Sequence, residues 1–159
     1  MDRIDKILND NEFKLRMKTI ITSEYKRKFC RHGLGHALSV ARIAYIISLE
    51  EKLGLEKEMI YAAALLHDIG RYTELEKEMS HHMAGAITAE PILKRACFSD
   101  QEIEIITGAI SKHKQETMET DALSRILFRA DKLSRNCFLC DAKDECYWDE
   151  DLKNKTIYR

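Results

Sequence analysis

The segment Met59-Ile-Tyr-Ala-Ala-Ala-Leu-Leu-His67-Asp68-Ile-Gly70 contains the most informative feature of this chain, the pair His67-Asp68. An apolar run ends in an imidazole and a carboxylate, and a glycine follows as a stop signal. Such a pair can bind a divalent metal ion, and the carboxylate can also reach a second ion. The dipeptide alone is a weak signal, because it often arises by chance. It gains weight from similar residues that recur in other stretches of helical pattern: His36, His81, His113 and Asp131.

Helical periodicity runs through almost the whole sequence, and no segment shows the strict alternation that is typical of strands. The chain has one proline, six glycines and no linker rich in serine and glycine. We therefore predict an all-α fold, a compact bundle of five to seven helices. Residues 1–135 should form the helical domain, with residues 136–159 as a cysteine-containing tail packed on it.

The expected helices follow from breaks in the pattern. Ser99 opens a capping box before one helix, and Pro91 either kinks a helix that starts near His81 or opens a successor. Residues 71–80 are polar and are predicted to form a loop. The remaining helices are expected at residues 10–29, 36–53, 56–68, 103–113 and 121–135.

Composition limits the classes of partner and compartment. Lys plus Arg (26) nearly balance Asp plus Glu (27), so the net charge gives no reason to expect a nucleic acid as partner. No apolar stretch reaches the roughly 18 residues of a membrane span, and the N-terminus lacks the apolar core of a signal peptide. We expect a soluble, cytoplasmic protein. The sequence does not predict its oligomeric state.

The metal-type residues continue apolar helix faces. Each lies at the end of a row spaced three or four residues apart, which places it toward the interior. A buried, unpaired aspartate is costly, and repeated buried histidines need partners. One inward histidine is more often a hydrogen-bonded core residue, but four such faces in one bundle favour a metal site. The four rows are His36 with Val40, Ile43 and Ile47; Ile60, Ala63 and Ala64 with His67; Ile103, Ile106 and Ile110 with His113; and Leu123 and Leu127 with Asp131.

Periodicity alone does not decide whether His81 or His82 points toward the interior. His81 shares a face with Gly85 and Thr88, whereas His82 shares one with Ala86 and Ala89. Small residues below either histidine would let helices pack closely around a site. Both alternatives stay open on this ground.

Residues 31–135 resemble the HD-domain metallohydrolase superfamily. His36-Ala-Leu-Ser-Val-Ala looks like its opening histidine motif, Leu65-Leu66-His67-Asp68-Ile69-Gly70-Arg71 like its central motif, and Ala130-Asp131-Lys132 like its closing motif. His81-x-x-x-Gly85-Ala86 and Ala109-Ile110-x-x-His113 look like the two added histidines of the six-ligand branch. That branch includes the bacterial symmetrical diadenosine-tetraphosphate hydrolases, the HD-GYP phosphodiesterases and a few di-iron oxygenases.

The resemblance implies a dinuclear metal site. It assigns His36, His67, Asp68 and Asp131 to one metal, and has Asp68 bridge to a second metal held by His81 and His113. Iron or manganese would suit these nitrogen and oxygen ligands, and nickel, cobalt or zinc would also be accepted. Asp68 would then be catalytic.

A phosphate substrate also needs positive charge from the protein. Arg71, directly after the central motif, is the first candidate, followed by Lys132 and the basic cluster at residues 26–31. The alternative for that cluster is a solvated helix end. The sequence departs from the known branches, because Lys114-Gln115-Glu116 follows His113 and no Gly-Tyr-Pro stretch is present. The substrate is therefore open.

The cysteine tail is a second constellation. Cys137, Cys140 and Cys146 could hold zinc or an iron–sulfur cluster if Cys97 or Cys30 supplied a fourth ligand. The alternative is a set of reduced thiols. An odd total of five cysteines argues against a complete disulfide framework.

The leading functional prediction is a metal-dependent phosphohydrolase that acts on a nucleotide or another small phosphoester. A di-iron oxygenase with the same ligands is the first alternative. A catalytically silent metal-binding module, acting as a redox or metal sensor through the cysteine tail, is the second. Hydrolysis leads by analogy, because hydrolases dominate the superfamily that the chain resembles.

Overall fold

The computed structural model describes residues 1–75, 79–113 and 121–157. These residues contain seven α-helices and no strand, which confirms the predicted all-α bundle. Short 3-10 helices span Ile69–Leu75, Cys137–Leu139 and Lys143–Glu145. The α-helices are α1 Asp2–Asn9, α2 Asn11–Ser23, α3 Leu34–Glu50, α4 Lys57–Leu66, α5 His81–Arg95, α6 Asp100–Lys112 and α7 Ala122–Leu133.

Helix α4 is the central element of the bundle. Its last five residues, from Ala62 to Leu66, are all buried, so the helix is apolar around its whole circumference there. It packs against α3 and α6, and also contacts α1, α5 and α7. The helix therefore carries His67 and Asp68, which directly follow it, into the middle of the molecule.

The N-terminal region differs from the prediction of one helix over residues 10–29. Asp10 ends α1 and caps α2, because its Oδ1 accepts hydrogen bonds from the backbone N–H groups of Glu12 (2.9 Å) and Phe13 (3.1 Å). Helix α2 ends at Ser23, and residues 24–33 run without regular helix to α3. Helix α1, which the sequence did not predict, buries Ile4 and Ile7 against the core.

The predicted loop at residues 71–80 is wrong in its first half, since Arg71 to Leu75 belong to the 3-10 helix Ile69–Leu75. This helix packs against α5 and α2. Its close approach to α5 requires Gly70: a Cβ there would lie 2.1 Å from the carbonyl oxygen of His81 and 2.3 Å from the backbone nitrogen of Gly85. Residues 76–78 of the predicted loop lie outside the described residues.

Helices α5 and α6 test two predictions from the sequence, the effect of Pro91 and the capping box at Ser99. Helix α5 continues through Pro91 to Arg95, so the alternative of a successor helix is wrong. Ser99 and Glu102 form the predicted capping box at the start of α6. No helix within the described ranges has the length and apolar character needed to cross a bilayer.

The tail lies against the C-terminal end of α7. The Asn154 amide donates to the carbonyl oxygens of Lys132 and Arg135, both at 2.8 Å. Lys28 forms an ion pair with Glu145 at 2.5 Å, which links the tail to the segment before α3. The tail thus lies beside the end of α7, which carries Asp131, and beside the segment that leads to His36 in α3.

Candidate metal centre

The six predicted ligands lie at the ends of five helices. His36 lies in the first turn of α3, His67 caps the C-terminus of α4 and Asp68 follows it. His81 begins α5, His113 caps the C-terminus of α6, and Asp131 lies in the last turn of α7. All six side chains lie in or at the edge of the core, and their assignment as ligands remains a prediction.

Five of the six side chains form two groups with Asp68 in common. One group contains His36, His67 and Asp68, the other contains Asp68, His81 and His113, and the ligand atoms within each group lie within 4.8 Å of one another. Oδ2 of Asp68 lies 3.0 Å from Nε2 of His67 and 3.5 Å from Nε2 of His36. Its other oxygen, Oδ1, lies 4.0 Å from Nε2 of His113.

Three of the imidazoles are held through Nδ1. The Nδ1–H group of His67 donates to the carbonyl oxygen of Ala64 at 2.7 Å, and that of His113 donates to Ile110 at 2.6 Å. Nδ1 of His36 lies 3.1 Å from Oγ of Ser134, whose own hydroxyl donates to the carbonyl of Asp131. In the neutral form of each ring, which carries one N–H, these bonds place the lone pair on Nε2, and this is the form that binds a metal.

Asp131 lies beside the first group but is also engaged elsewhere. Its Oδ1 is 3.2 Å from Nε2 of His36 and 3.9 Å from Nε2 of His67. The guanidinium of Arg135 donates to the same Oδ1 at 2.9 Å and lies 3.0 Å from Nε2 of His36. Arg135 is buried, and it directly contacts two predicted ligands.

The electrostatics of the cluster favour cations. Burial, and after it the nearby His67, lower the pKa of His113 to about 4, so this imidazole is neutral at physiological pH. Burial raises the pKa of Asp68, but the His67 and His36 imidazoles outweigh it and hold that pKa well below its usual range. The pKa of Asp131 is likewise lowered, by His36, His67 and Arg135 against the effect of burial. Both aspartates are therefore ionised.

The donor set fits divalent metal ions. Within the described residues, Nε2 of His67 and Oδ2 of Asp68 are fully buried and make no hydrogen bond. Buried polar atoms are rarely left so, and each such atom needs an explanation. Neutral imidazoles and carboxylates that converge in this way suit first-row divalent ions. The residues present thus fit a metal centre.

Arg71, predicted to bind phosphate, lies next to Asp68. Its guanidinium is 3.7 Å from Oδ1 of Asp68 and 3.4 Å from Oε1 of Glu24, and its side chain is 10% exposed. Lys132 is more exposed, with Nζ 3.7 Å from Asp131 and 5.1 Å from the Trp148 ring. Residues of the basic cluster at 26–31 have different surroundings. Arg27 lines a cavity at the metal-type residues, whereas Lys28 pairs with Glu145.

A cavity of about 160 Å³ opens onto this centre. Asp68, His113 and Asp131 form its floor. Cationic side chains line it at Arg27, Arg71, Lys132 and Arg135, and aromatic rings line it at Phe29, Tyr147 and Trp148. The cavity is thus positively charged around a negatively charged floor.

The sequence missed a buried pair at this cavity. Glu24 accepts hydrogen bonds from the backbone nitrogen of His32 at 2.7 Å and from its ring Nδ1 at 2.6 Å. Both residues lie in or next to the irregular segment before α3, where helical spacing carries no information. Arg135 was also missed, although its position four residues after Asp131 matches a helical ion pair.

His81 and His82 differ in their surroundings. His81 is 4% exposed and belongs to the second group of ligand atoms, whereas His82 is more exposed and lies 3.3 Å from the hydroxyl of Ser80. The structure therefore favours His81 as the ligand, as the motif match does. The Lys114-Gln115-Glu116 stretch after His113 lies outside the described residues.

Comparison with known proteins adds a family match and several relatives. Residues 33–136 match the family model described as HD domain. An uncharacterized protein of Clostridium beijerinckii is 44% identical over 158 residues, which cover 99% of each chain. Ribonuclease Y of Mycoplasma mycoides is 30% identical over 80% of this chain and 28% of its own length, and ribonuclease Y of Enterococcus faecalis is 29% identical over 69% and 19%.

This chain thus spans about a quarter or less of the ribonuclease Y relatives that it matches. No solved structure matches it.

Proposed function

This chain belongs to the HD-domain family, and from that premise we propose that it is a metal-dependent phosphohydrolase. Its substrate would be a nucleotide or another small phosphoester. The ligands would be His36, His67, Asp68, His81, His113 and Asp131, arranged around two divalent ions. Iron or manganese is the expected metal on the basis of the mixed nitrogen and oxygen donors.

The observation that carries the proposal is the orientation of the Asp68 carboxylate. Its Oδ2 faces His36 and His67, while its Oδ1 faces His113. A carboxylate that presents one oxygen to each of two imidazole groups has the disposition of a bridging ligand. Two ions bound in this way would lower the pKa of a water between them and offset charge on the attacked phosphoryl group.

The protein's own side chains would bind and orient the substrate. Arg71 and Lys132 lie at the edges of the carboxylate floor, where their charges can bind phosphate oxygens. Arg135 holds Asp131 in place. His32 lines the cavity with its Nδ1–H fixed on Glu24, and could exchange a proton with the attacking water or the leaving group.

The cavity supports a small substrate with an aromatic part. Its volume of about 160 Å³ is small, and Phe29, Tyr147 and Trp148 line it together with the cations. A cavity lined in this way can hold a phosphate by charge and a base by stacking. The relatives named ribonuclease support hydrolysis of a phosphate ester, but the match covers only a minor part of their length.

The test is an anaerobic hydrolysis assay with iron or manganese supplied. The panel should contain mononucleotides, dinucleoside polyphosphates, a cyclic dinucleotide and a short RNA, with release of products as the readout. We expect cleavage of at least one nucleotide by the wild-type protein and none by Asp68→Ala, whose fold is checked by circular dichroism.

Cleavage that is equal in Asp68→Ala would contradict the proposal. Absence of cleavage across the panel, combined with substrate-dependent oxygen consumption, would replace it with the di-iron oxygenase.

A further inference from the structure

Four of the five cysteines line one cavity. This cavity has a volume of about 330 Å³ and lies beside the metal centre, with His36 on its inner wall. Cys30 comes from the segment before α3, and Cys137, Cys140 and Cys146 come from the tail. All five thiols are free.

Cys97 is excluded from this group. It is exposed, follows the C-terminus of α5, and its sulfur lies 3.2 Å from Nζ of Lys6. The structure thus decides between the two candidates for a fourth sulfur that the sequence left open. Cys30 is the one that meets the tail cysteines.

The surroundings of the thiols are strongly cationic. Burial raises the pKa of the Cys30 thiol, Arg135 lowers it, and the three tail cysteines raise it again. Five basic side chains line the same cavity and can offset the charge of several thiolates: Lys28, Arg31, Arg135, Lys143 and Lys153.

We propose that Cys30, Cys137, Cys140 and Cys146 bind a second type of metal centre through their thiolates, separate from the histidine and aspartate centre. Thiolates select iron–sulfur clusters and zinc among biological metal groups. The C-x2-C spacing of Cys137 and Cys140 is common to both.

The sulfur atoms lie too far apart in this structure for a single zinc ion to bind three of them without a rearrangement. Tetrahedral zinc with bonds of about 2.3 Å brings its sulfur ligands within about 4 Å of one another. All cysteines lie in the described ranges, and no three of their sulfur atoms fall within 4.8 Å of one another. A cubane cluster, with an iron atom at each attachment point, holds its thiolates farther apart.

Such a centre would have a direct effect on the neighbouring site. Cys30 and Cys146 line the cavity over Asp68 and Asp131 as well as the cysteine cavity. A group bonded to both residues would fix the tail, and with it Tyr147 and Trp148, as a wall of the first cavity. The thiolate centre would then hold a wall of the hydrolysis site in place and would take no part in the hydrolysis itself.

The test measures iron, zinc and acid-labile sulfide per chain in full-length protein purified without oxygen. The variants are Cys137→Ser and Cys140→Ser, with Cys97→Ser as the matched control, and circular dichroism checks their fold. We expect iron and sulfide in the wild type and in Cys97→Ser, with sulfide lost from both tail variants. Asp68→Ala should keep its sulfide, which separates this centre from the proposed phosphohydrolase site.

A second measurement, on the wild-type protein, tests the proposal if the cysteine variants fail to fold. The metal is stripped from the wild-type protein with a chelator, and iron and sulfide are then added back while the visible absorption of a cluster is recorded. One zinc per chain, lost in the same two variants and without sulfide, would support the thiolate centre with zinc as its occupant. Metal and sulfide contents that are identical in Cys140→Ser and Cys97→Ser, with no cluster after reconstitution, would overturn the proposal.

Discussion

The ring of His32 donates from Nδ1 to Oε1 of Glu24 across 2.6 Å, and both side chains are buried at the edge of the candidate metal centre. Burial lowers the pKa of His32, although Glu24 raises it in part. Burial raises the pKa of Glu24, but His32 and Arg71 outweigh that effect and lower it. The pair is thus a neutral imidazole held by an ionised carboxylate, an arrangement suited to proton transfer at the other ring nitrogen.

We predict that His32→Gln lowers kcat by about 100-fold, because a positioned acid or base contributes about that much. Metal content should stay at the wild-type level, since His32 belongs to neither group of ligand atoms. Steady-state kinetics and metal analysis of the same preparation measure both quantities. Loss of metal in His32→Gln, or a kcat equal to the wild type, would contradict the role.

A second prediction separates the neighbouring histidines 81 and 82. Replacement of His81 by Ala should remove one metal ion per chain, because its ring belongs to the Asp68 and His113 group. His82→Ala removes the same number of atoms from the adjacent position and serves as the control. Metal analysis after equilibration with manganese measures the difference. Equal metal contents in the two variants would show that His81 is not a ligand.

A third prediction concerns the contact between Gly70 and α5. Gly70→Ala would place a methyl group 2.1 Å from the carbonyl oxygen of His81 and 2.3 Å from the backbone nitrogen of Gly85. Backbone atoms cannot move aside as a flexible side chain can, so the free energy of unfolding should fall by about 2 kcal/mol or more. Urea denaturation measures the change, and metal content should fall as well, because His81 is displaced.

Gly108→Ala is the matched control for that substitution. Gly108 lies inside α6, and a Cβ there would meet no atom within 4 Å apart from its chain neighbours and the backbone of its own helix. Because alanine is the better helix former, this variant should gain about 0.5–1 kcal/mol in the free energy of unfolding. A Gly70→Ala protein as stable as the wild type would contradict the packing described here.

The fourth prediction concerns acid stability. Arg3 in α1 donates to Glu58 (2.6 Å) and Glu102 (2.6 Å), and so ties α1 to α4 and α6. Burial raises the pKa of Glu102, but Arg3 and Ser99 outweigh it and bring that pKa to about 2 from an ordinary 4.5. The carboxylate therefore stabilises the fold fully above pH 4.5, and this contribution is lost as the pH falls toward 2.

Glu102→Gln tests this linkage, because glutamine keeps the capping box and removes only the charge. The free energy of unfolding of the wild type should exceed that of the variant at neutral pH. The difference should shrink as the pH falls from 4.5 through 2, because Glu102 is then protonated and becomes uncharged like glutamine. Urea titrations over that range measure it, and a difference that does not change with pH would rule out the proposed linkage.

Helical periodicity predicted much of the fold and the placement of the metal-type side chains. His36, His67 and His113 were assigned to apolar helix faces, and all three lie against the core with Asp68. This succeeded because each residue begins or ends a regular helix, where the spacing of apolar residues fixes the direction of a side chain.

The same reasoning failed where the backbone is not α-helical. His32 lies in the irregular segment before α3, where helical spacing cannot predict the direction of a side chain. Arg71 lies in a 3-10 helix, and its position directly after the central motif, not periodicity, singled it out. Helix α1 was missed because its eight residues carry only two buried side chains, Ile4 and Ile7. The convergence of Cys30 with the tail depends on tertiary contacts more than 100 residues apart in sequence.

The hydrogen bonds from His67 and His113 to the last turns of α4 and α6 have a consequence for the binding of phosphate at this site. Both helices point their carboxyl ends inward, and each such end carries about half a negative charge. Together with the ionised Asp68 and Asp131, they add negative charge next to Arg71 and Lys132, the cations that attract a phosphate. For a phosphohydrolase built on this centre, bound metal ions would offset that negative charge, so the ester should bind more tightly to the metal-loaded protein than to the metal-free one.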